Sequence, residues 1–266
     1  MDRPIVVKLG GSILTRKRER ERLRPKVIQR LATELFQGWN AGGAPLVVIH
    51  GAGSFGHPGA AQWGLAGPPG SSRNHRERGA ALTSHRVRDL HQRVVKELLS
   101  AGLPAFSVPP FPLAENREGN LVGFPTASLT EVLERGGIPV TFGDVVRDSA
   151  WGFSILSGDT IAVRMAREIP LRQMVFVSDV PGVFAPGSER HRTVIPELGP
   201  EVLAGLPAPR GHHDVTGGIR AKVQAMLQIA EGGARAGLIS GLTHGNVLRA
   251  LKGEEVYGSW TRRTSP

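Results

Sequence analysis

The sequence of 266 residues contains no cysteine, which excludes disulfide bonds and thiol catalysis. Aromatic residues make up only 5% of the chain, and they do not interleave with basic residues as they would on a surface that stacks single-stranded nucleic acid. No apolar run approaches the ~18 residues of a membrane-spanning helix. The sequence opens directly into a predicted strand with no signal-peptide pattern, so we expect a cytoplasmic protein.

The chain is strongly basic, with a formal net charge of +10 to which arginine contributes most. A positive balance of this kind suits an anionic partner. Because no nucleic-acid-binding module is recognisable, we expect that partner to be an anionic small molecule, with no nucleic acid and no membrane involved.

Short apolar runs alternate with segments of helical periodicity, and no repeat or linker interrupts them. This alternation predicts a single α/β domain over residues 1–266, with a mainly parallel sheet covered on both faces. A long helix is predicted over 76–100. His85 and His91 lie six residues apart on it, hence on different faces, so we expect solvated histidines and no metal site. Other predicted elements are strands over 4–9, 45–49, 138–142, 174–177 and 236–240, a hairpin over 113–124 and a helix over 246–251.

The most informative segment is His-Gly-Ala-Gly-Ser-Phe-Gly-His at residues 50–57, directly after a predicted strand. Three glycines and an alanine leave the backbone nearly bare, so its N–H groups can approach an anion closely. His57 ends the segment with a side chain that can carry a proton near neutral pH. The segment therefore predicts a phosphate-binding loop with His57 in contact with the phosphate. An ordinary tight turn with an exposed His57 is the alternative.

Other small-residue turns also follow predicted strands. In a parallel sheet such turns gather at the carboxyl edge, where ligands bind, so we expect them to converge with the loop at 50–57. For two charged residues near these turns, a role other than anion binding stays open. Lys17, beyond the Gly10-Gly11 turn, lies in a charge run, and Asp159 could merely complement a helix dipole. Walker, Rossmann and protein kinase motifs are absent from the sequence. The turns involved are Gly10-Gly11 after Lys8, Ser157-Gly158-Asp159, residues 178–184, and Thr216-Gly217-Gly218 before Lys222.

The order of these motifs resembles the amino acid kinase superfamily and, within it, the isopentenyl phosphate kinases. The similarity extends from about residue 5 to residue 258, and the histidine after Gly-Ser-Phe-Gly is what favours this family over its relatives. The resemblance implies a three-layer αβα sandwich with a mainly parallel central sheet, a homodimer, and transfer of the γ-phosphate of ATP to isopentenyl phosphate. The product would be isopentenyl diphosphate, an isoprenoid precursor.

The resemblance also implies a role for each matching residue. Ala52 would offer its N–H to the acceptor and Gly53 its N–H to ATP, while His57 would hydrogen-bond the acceptor phosphate with Gly158 beside it. Asp159 would orient the lysines, and Mg²⁺ would bind to the ATP phosphates with few protein ligands. The remaining nucleotide-binding residues would be Lys8, Gly10, Gly11, Lys17, Asp179, Pro181, Gly182, Val183, Phe184, Gly218 and Lys222.

The acceptor oxygen of a phosphate monoester is already anionic, so no general base is required and His57 is interpreted as an anchor. The hydrocarbon tail needs an apolar pocket, for which Ala60, Ala61, Trp63 and the start of the 76–100 helix are candidates, core packing being the alternative. Two other functions stay open. One is a related kinase that acts on a phosphonate or another phosphate monoester. The other is a catalytically silent nucleotide-binding protein, which the set Lys8, Lys17, Asp159 and Lys222 disfavours.

Overall fold

The computed structural model describes residues 2–16, 19–42, 44–70, 73–186, 193–207 and 218–262. The strands in these ranges are β1 (Ile5–Leu9), β2 (Leu46–His50), β3 (Ala105–Ser107), β4 (Glu115–Arg117), β5 (Asn120–Gly123), β6 (Ile138–Phe142), β7 (Asp144–Asp148), β8 (Gly152–Leu156), β9 (Gln173–Ser178), β10 (Glu197–Leu198), β11 (Arg235–Ser240) and β12 (Gly258–Thr261). The helices are α1 (Gly11–Leu14), α2 (Pro25–Gly42), α3 (Gly53–Gln62), α4 (Arg73–Ser100), α5 (Thr126–Glu134), α6 (Gly158–Glu168), α7 (Pro200–Gly205), α8 (Gly218–Glu231) and α9 (Asn246–Leu251).

The apolar runs form an eight-stranded sheet in the order β10-β12-β11-β9-β1-β2-β6-β3. Its strands pair in parallel, except that β12 runs antiparallel to β11. Strands β1, β2 and β6 are buried along their whole length, as expected for a parallel sheet covered on both faces. The predicted mainly parallel sheet is confirmed.

Side-chain alternation along the strands divides the core into two layers. Val7 and Leu9 of β1 face α2, α4 and α9, whereas Val6 faces α5, α6 and α8. The same alternation directs Lys8 to the side of α6 and α8, and His50 to the side of α4. The three-layer arrangement is thereby confirmed.

A separate four-stranded sheet, in the order β5-β4-β7-β8, stands beside the main one. Asp148 is the last residue of β7, and its carboxylate accepts hydrogen bonds from four backbone N–H groups and from the Ser154 hydroxyl, at 2.7–3.1 Å. Burial alone would raise the pKa of Asp148, but these donors lower it to about 2. The carboxylate therefore ties the predicted 113–124 hairpin to the β7–β8 hairpin.

Several sequence predictions need correction. The segment 50–57 is not a continuous loop, because α3 begins at Gly53 and includes His57. Strands β7 and β12 were not predicted, and α4 begins three residues before its predicted start. His91 is not solvated: it is 2% exposed and packs against His50, because that face of α4 covers the sheet, whereas His85 is exposed. Among the described helices, none has the length and apolarity needed to cross a bilayer.

Candidate active site

A cavity of about 1060 Å³ opens at the carboxyl ends of β1, β2 and β9. The structure brings most of the predicted site residues to its wall. A second cavity, of about 1020 Å³, shares Asp179 with the first but lies against α2 and α4, away from Lys8, Asp159 and Lys222. The predicted residues on the wall of the first cavity are Lys8, Gly10, Gly11, Ala52, Gly53, His57, Gly158, Asp159, Asp179, Gly182, Phe184, Gly218 and Lys222.

Lys8, Asp159 and Lys222 form a charged cluster on this wall. The Lys8 Nζ lies 2.7 Å from Asp159 Oδ1, and the Lys222 Nζ lies 2.8 Å from Asp159 Oδ2. The Lys222 ammonium also lies 5.2 Å from the centre of the Phe176 ring. Strand β1, the first turn of α6 and helix α8 each contribute one charge, which explains why three distant parts of the sequence meet here.

The charged cluster sets the protonation of its own members. Burial alone would raise the pKa of Asp159, but the charges of Lys8 and Lys222 hold it well below its usual range. Burial, followed by repulsion from Lys8, lowers the pKa of Lys222 to about 8, although Asp159 opposes this shift. At neutral pH Asp159 is therefore ionised and Lys222 is mostly protonated.

The first glycine turn, at residues 10–11, and the second glycine turn, at residues 51–53, pack backbone against backbone. A Cβ atom on Gly11 would lie 2.4 Å from the Gly53 nitrogen, so no larger residue fits there. Gly53 has φ of +51°, and a Cβ atom on it would lie 2.3 Å from Thr15 Oγ1. The Thr15 hydroxyl donates to the Gly11 carbonyl at 2.8 Å and accepts from the Ser54 N–H at 2.9 Å. These contacts fix the start of α3 against α1.

Helices α3, α6 and α8 begin at the cavity wall, at Gly53, Gly158 and Gly218. Helix N-termini carry unpaired N–H groups and a partial positive charge, so they favour anions. The Ser157 hydroxyl caps α6 by accepting from the Thr160 N–H at 3.0 Å. His57, half-buried in α3, lines the same cavity as Lys8 and Lys222. The cavity wall thus combines several sources of positive potential.

Asp144 and Ser12 were not among the predicted site residues, yet both line the cavity. The Ser12 hydroxyl donates to Asp179 Oδ1 at 2.6 Å. Asp144 is 2% exposed, accepts from the Ser84 hydroxyl at 3.2 Å and lies 3.7 Å from Arg88 Nε. Burial raises the pKa of Asp144 to about 6. The signal for Asp144 was available, since Gly143-Asp144 follows a buried strand as the other turns do.

Some predicted residues lie elsewhere. Val183 is fully buried, donates its N–H to Ser259 Oγ at 2.8 Å, and like Pro181 is not part of the cavity wall. Trp63 packs over Gly79 instead of lining the cavity. Lys17, Thr216 and Gly217 lie outside the described residues.

Part of the cavity wall is mostly apolar. Ala60 and Ala61 line it as predicted, and α4 contributes residues about two and three turns after the predicted helix start at residue 76. Strands β7 and β8 also contribute to this part of the wall. The residues contributed by α4, β7 and β8 are Thr83, Val87, Val145 and Ile155.

Comparison with known proteins defines the family. The model of the amino acid kinase family matches residues 3–240. An isopentenyl phosphate kinase from Methanothermobacter thermautotrophicus is 34% identical over 267 residues, which span 96% of this chain and 97% of the relative. The isopentenyl phosphate kinase of Haloferax volcanii is 30% identical over 230 residues, spanning 85% of this chain and 88% of the relative.

A solved structure agrees with these relatives. It is described as an isopentenyl phosphate kinase, and it superposes on this chain with a TM-score of 0.83 at 30% identity, covering 96% of this chain and 99% of that one. The chain therefore belongs to the amino acid kinase family and, within it, to the isopentenyl phosphate kinases, as the order of its motifs predicts.

Proposed function

We propose that this protein transfers the γ-phosphoryl group of ATP to isopentenyl phosphate, giving isopentenyl diphosphate and ADP. The observation that carries the proposal is the composition of the cavity wall. The wall includes the charged cluster and three helix N-termini, and it also includes apolar side chains of α3, α4, β7 and β8. A phosphate monoester with a short hydrocarbon tail matches both kinds of lining.

The main obstacle to this reaction is repulsion between two anionic phosphate groups. At ~4 Å and an effective dielectric constant of ~20, each pair of like charges costs about 4 kcal/mol. Lys8 and Lys222, together with the helix N-termini, are positioned to offset this cost and to hold the two groups in line. Asp159 orients both ammonium groups, and Lys17 is proposed as a further phosphate ligand.

His57 is proposed to anchor the acceptor phosphate. It lies on α3 a little more than one turn after Gly53, so its ring and the N–H groups at the start of that helix can hydrogen-bond the same phosphate group. Transfer to an oxygen that is already anionic needs no general base, so the ring contributes a hydrogen bond and, when protonated, a charge. Ala52 is proposed to donate its N–H to the same phosphate, with Gly158 beside it.

The nucleotide is proposed to lie along Gly10, Asp179, Gly182, Phe184 and Gly218, with the N–H of Gly53 directed at its phosphates. The described residues contain no group of three His, Cys, Asp or Glu side chains arranged as a metal site. A Mg²⁺ ion bound to the ATP phosphates would neutralise part of their charge, and it fits a site whose protein contribution is largely cationic. Gly11, Pro181 and Val183 are proposed to support this region through the backbone.

We further propose that the protein is a single-domain homodimer in the cytoplasm. The edge strand β3 exposes Phe106, and α4, which packs beside β3, exposes Leu99. Such an apolar edge suits coverage by a second copy of the chain.

The decisive experiment measures ADP release by the purified protein with ATP and Mg²⁺. The acceptors are isopentenyl phosphate, an isopentenyl phosphonate, a nucleoside monophosphate, and none. We expect fast release with isopentenyl phosphate, and a diphosphate product by phosphorus NMR. Faster release with the phosphonate or the nucleotide would support a different acceptor. ATP binding without turnover on any acceptor would support the silent nucleotide-binding protein.

A further inference from the structure

A chain of hydrogen bonds involving two histidines runs beneath the second glycine turn. His50 ends β2 and is fully buried. Its Nδ1 lies 3.2 Å from the Gly51 carbonyl oxygen, and its Nε2 lies 3.0 Å from His91 Nδ1. The His91 Nε2 lies 2.7 Å from Ser107 Oγ on β3. Phe142 stacks against both rings, with ring centres 5.2 Å from His50 and 4.1 Å from His91.

The partners determine which ring nitrogens carry protons. A carbonyl oxygen only accepts, so the proton of His50 is on Nδ1 and is donated to Gly51. The Nε2 of His50 is then an acceptor, and the Nδ1–H of His91 donates to it. The Nε2 of His91 accepts in turn from the Ser107 hydroxyl. Burial lowers the pKa of His50 to about 4 and that of His91 to about 2, so both rings are neutral at neutral pH, as this arrangement requires.

This series of hydrogen bonds ends at the peptide group between Gly51 and Ala52, which faces the cavity. The Gly51 carbonyl and the Ala52 N–H belong to the same planar trans peptide, so they point in opposite directions. The preceding peptide is held on both sides, since the His50 carbonyl accepts from the Gly143 N–H and the Gly51 N–H donates to the Leu9 carbonyl, each at 2.9 Å. In the described part of the chain the Ala52 N–H has no protein acceptor, and Ala52 lines the cavity.

We propose that His50 is a positioning residue for phosphoryl transfer: its Nδ1–H holds the Gly51 carbonyl and thereby aims the Ala52 N–H at the acceptor phosphate. His91 selects the tautomer of His50 that can do this. The inference rests on the proposed function, and it concerns the acceptor side of the site more than the nucleotide side. His50 itself touches neither substrate, since no part of it is exposed.

Paired substitutions test the proposal, because asparagine places an amide N–H near the position of Nδ1 whereas glutamine places its amide near that of Nε2. Steady-state kinetics are measured with isopentenyl phosphate and ATP varied in turn, on variants whose folding is checked by circular dichroism and thermal unfolding. We expect His50→Gln to raise the KM for isopentenyl phosphate about tenfold with the KM for ATP within about twofold, and His50→Asn to restore most of the loss.

If His50→Gln fails to fold, the same two substitutions are made at His91. We then expect His91→Gln to raise the KM for isopentenyl phosphate and His91→Asn to restore it. An acceptor KM within about twofold of wild type in the glutamine variants, or equal rises in both KM values, would overturn the positioning role. A wild-type protein that releases no ADP with isopentenyl phosphate would instead overturn the proposed function, so the two failures are distinguishable.

Discussion

Substituting Asp159 with asparagine should change the protonation of a lysine as well as remove a charge. The carboxylate lies 2.8 Å from Lys222 Nζ, and it opposes the burial and the Lys8 charge that lower the pKa of Lys222 to about 8. At about 3 Å and an effective dielectric constant of ~20 the lost attraction is about 5–6 kcal/mol before solvation is counted. One pKa unit corresponds to about 1.4 kcal/mol. Even if solvent and the asparagine dipole recover half of that energy, the pKa of Lys222 falls by about two units.

The assay is the pH dependence of kcat/KM for ATP, which reports ionisations of the free enzyme. Lys222 is cationic below its pKa and neutral above it, so wild-type kcat/KM should decline as the pH rises through about 8. In Asp159→Asn the decline should begin about two pH units lower, so the variant should be far less active than wild type at pH 7.5 and closer to it at pH 5.5. Asp89→Asn, on an exposed position of α4, is the matched control and should keep the wild-type profile.

A profile for Asp159→Asn that declines at the wild-type pH, with kcat/KM within about threefold of wild type at pH 7.5, would refute the argument. It would mean that burial and Lys8 do not govern the charge of Lys222. A uniform loss at every pH would show that Asp159 orients the lysines without setting their protonation.

Three further substitutions give distinct expectations. His57→Ala should lower kcat/KM for isopentenyl phosphate by about 10- to 100-fold, because a charge-assisted hydrogen bond is lost, while thermal unfolding stays unchanged. Gly53→Ala should lower stability by about 1–3 kcal/mol in urea unfolding and abolish most activity, since the new Cβ meets Thr15 and the φ of +51° is unfavourable. Asp148→Asn should lower stability by about 2 kcal/mol at pH 7, because hydrogen-bond donors lose a charged acceptor. That deficit should shrink as the pH falls from about 4 toward 2, where the native carboxylate loses its charge.

Each expectation has a clear contrary result. Wild-type turnover in His57→Ala would remove His57 from the acceptor site. A Gly53→Ala protein of unchanged stability would mean that the two glycine turns can separate at little cost. A stability deficit in Asp148→Asn that is the same at pH 3 and pH 7 would show that the carboxylate charge is not what the surrounding donors stabilise.

Much of the fold follows from local patterns. The runs 5–9 and 46–50 consist of Val, Ile and Leu apart from Lys8 and His50, which is typical of buried parallel strands, and α9 spans the predicted 246–251. Strand β7 escaped prediction because aspartates stand at both of its ends. The burial of Asp148 depends on N–H groups of Glu118 and Gly119, about 30 residues earlier in the chain. Local hydrophobicity gives no indication of a hydrogen-bond partner so distant in the sequence.

The candidate site was predictable where residue type alone carries the chemistry. The glycine turns that follow strands, together with the lysines beside them, predict a phosphate site from the sequence alone. The contacts that organise it were not predictable, because they join distant segments: Ser12 bonds Asp179 across 167 residues, and His50 meets His91 across 41. His91 illustrates the difficulty, since a polar residue in an arginine-rich helix gives no sign of a buried partner.

The two sheets contribute different parts of the cavity wall. Strands β1, β2 and β9 of the eight-stranded sheet lead into the turns proposed to bind the phosphates, where the backbones of Gly11 and Gly53 leave no room for side chains. Another part of the wall comes from β7 and β8 of the smaller sheet, which contribute the aliphatic residues Val145 and Ile155. If this part of the wall holds the hydrocarbon tail, substitutions in the smaller sheet would change the accepted tail length and leave the backbone contacts between the glycine turns intact.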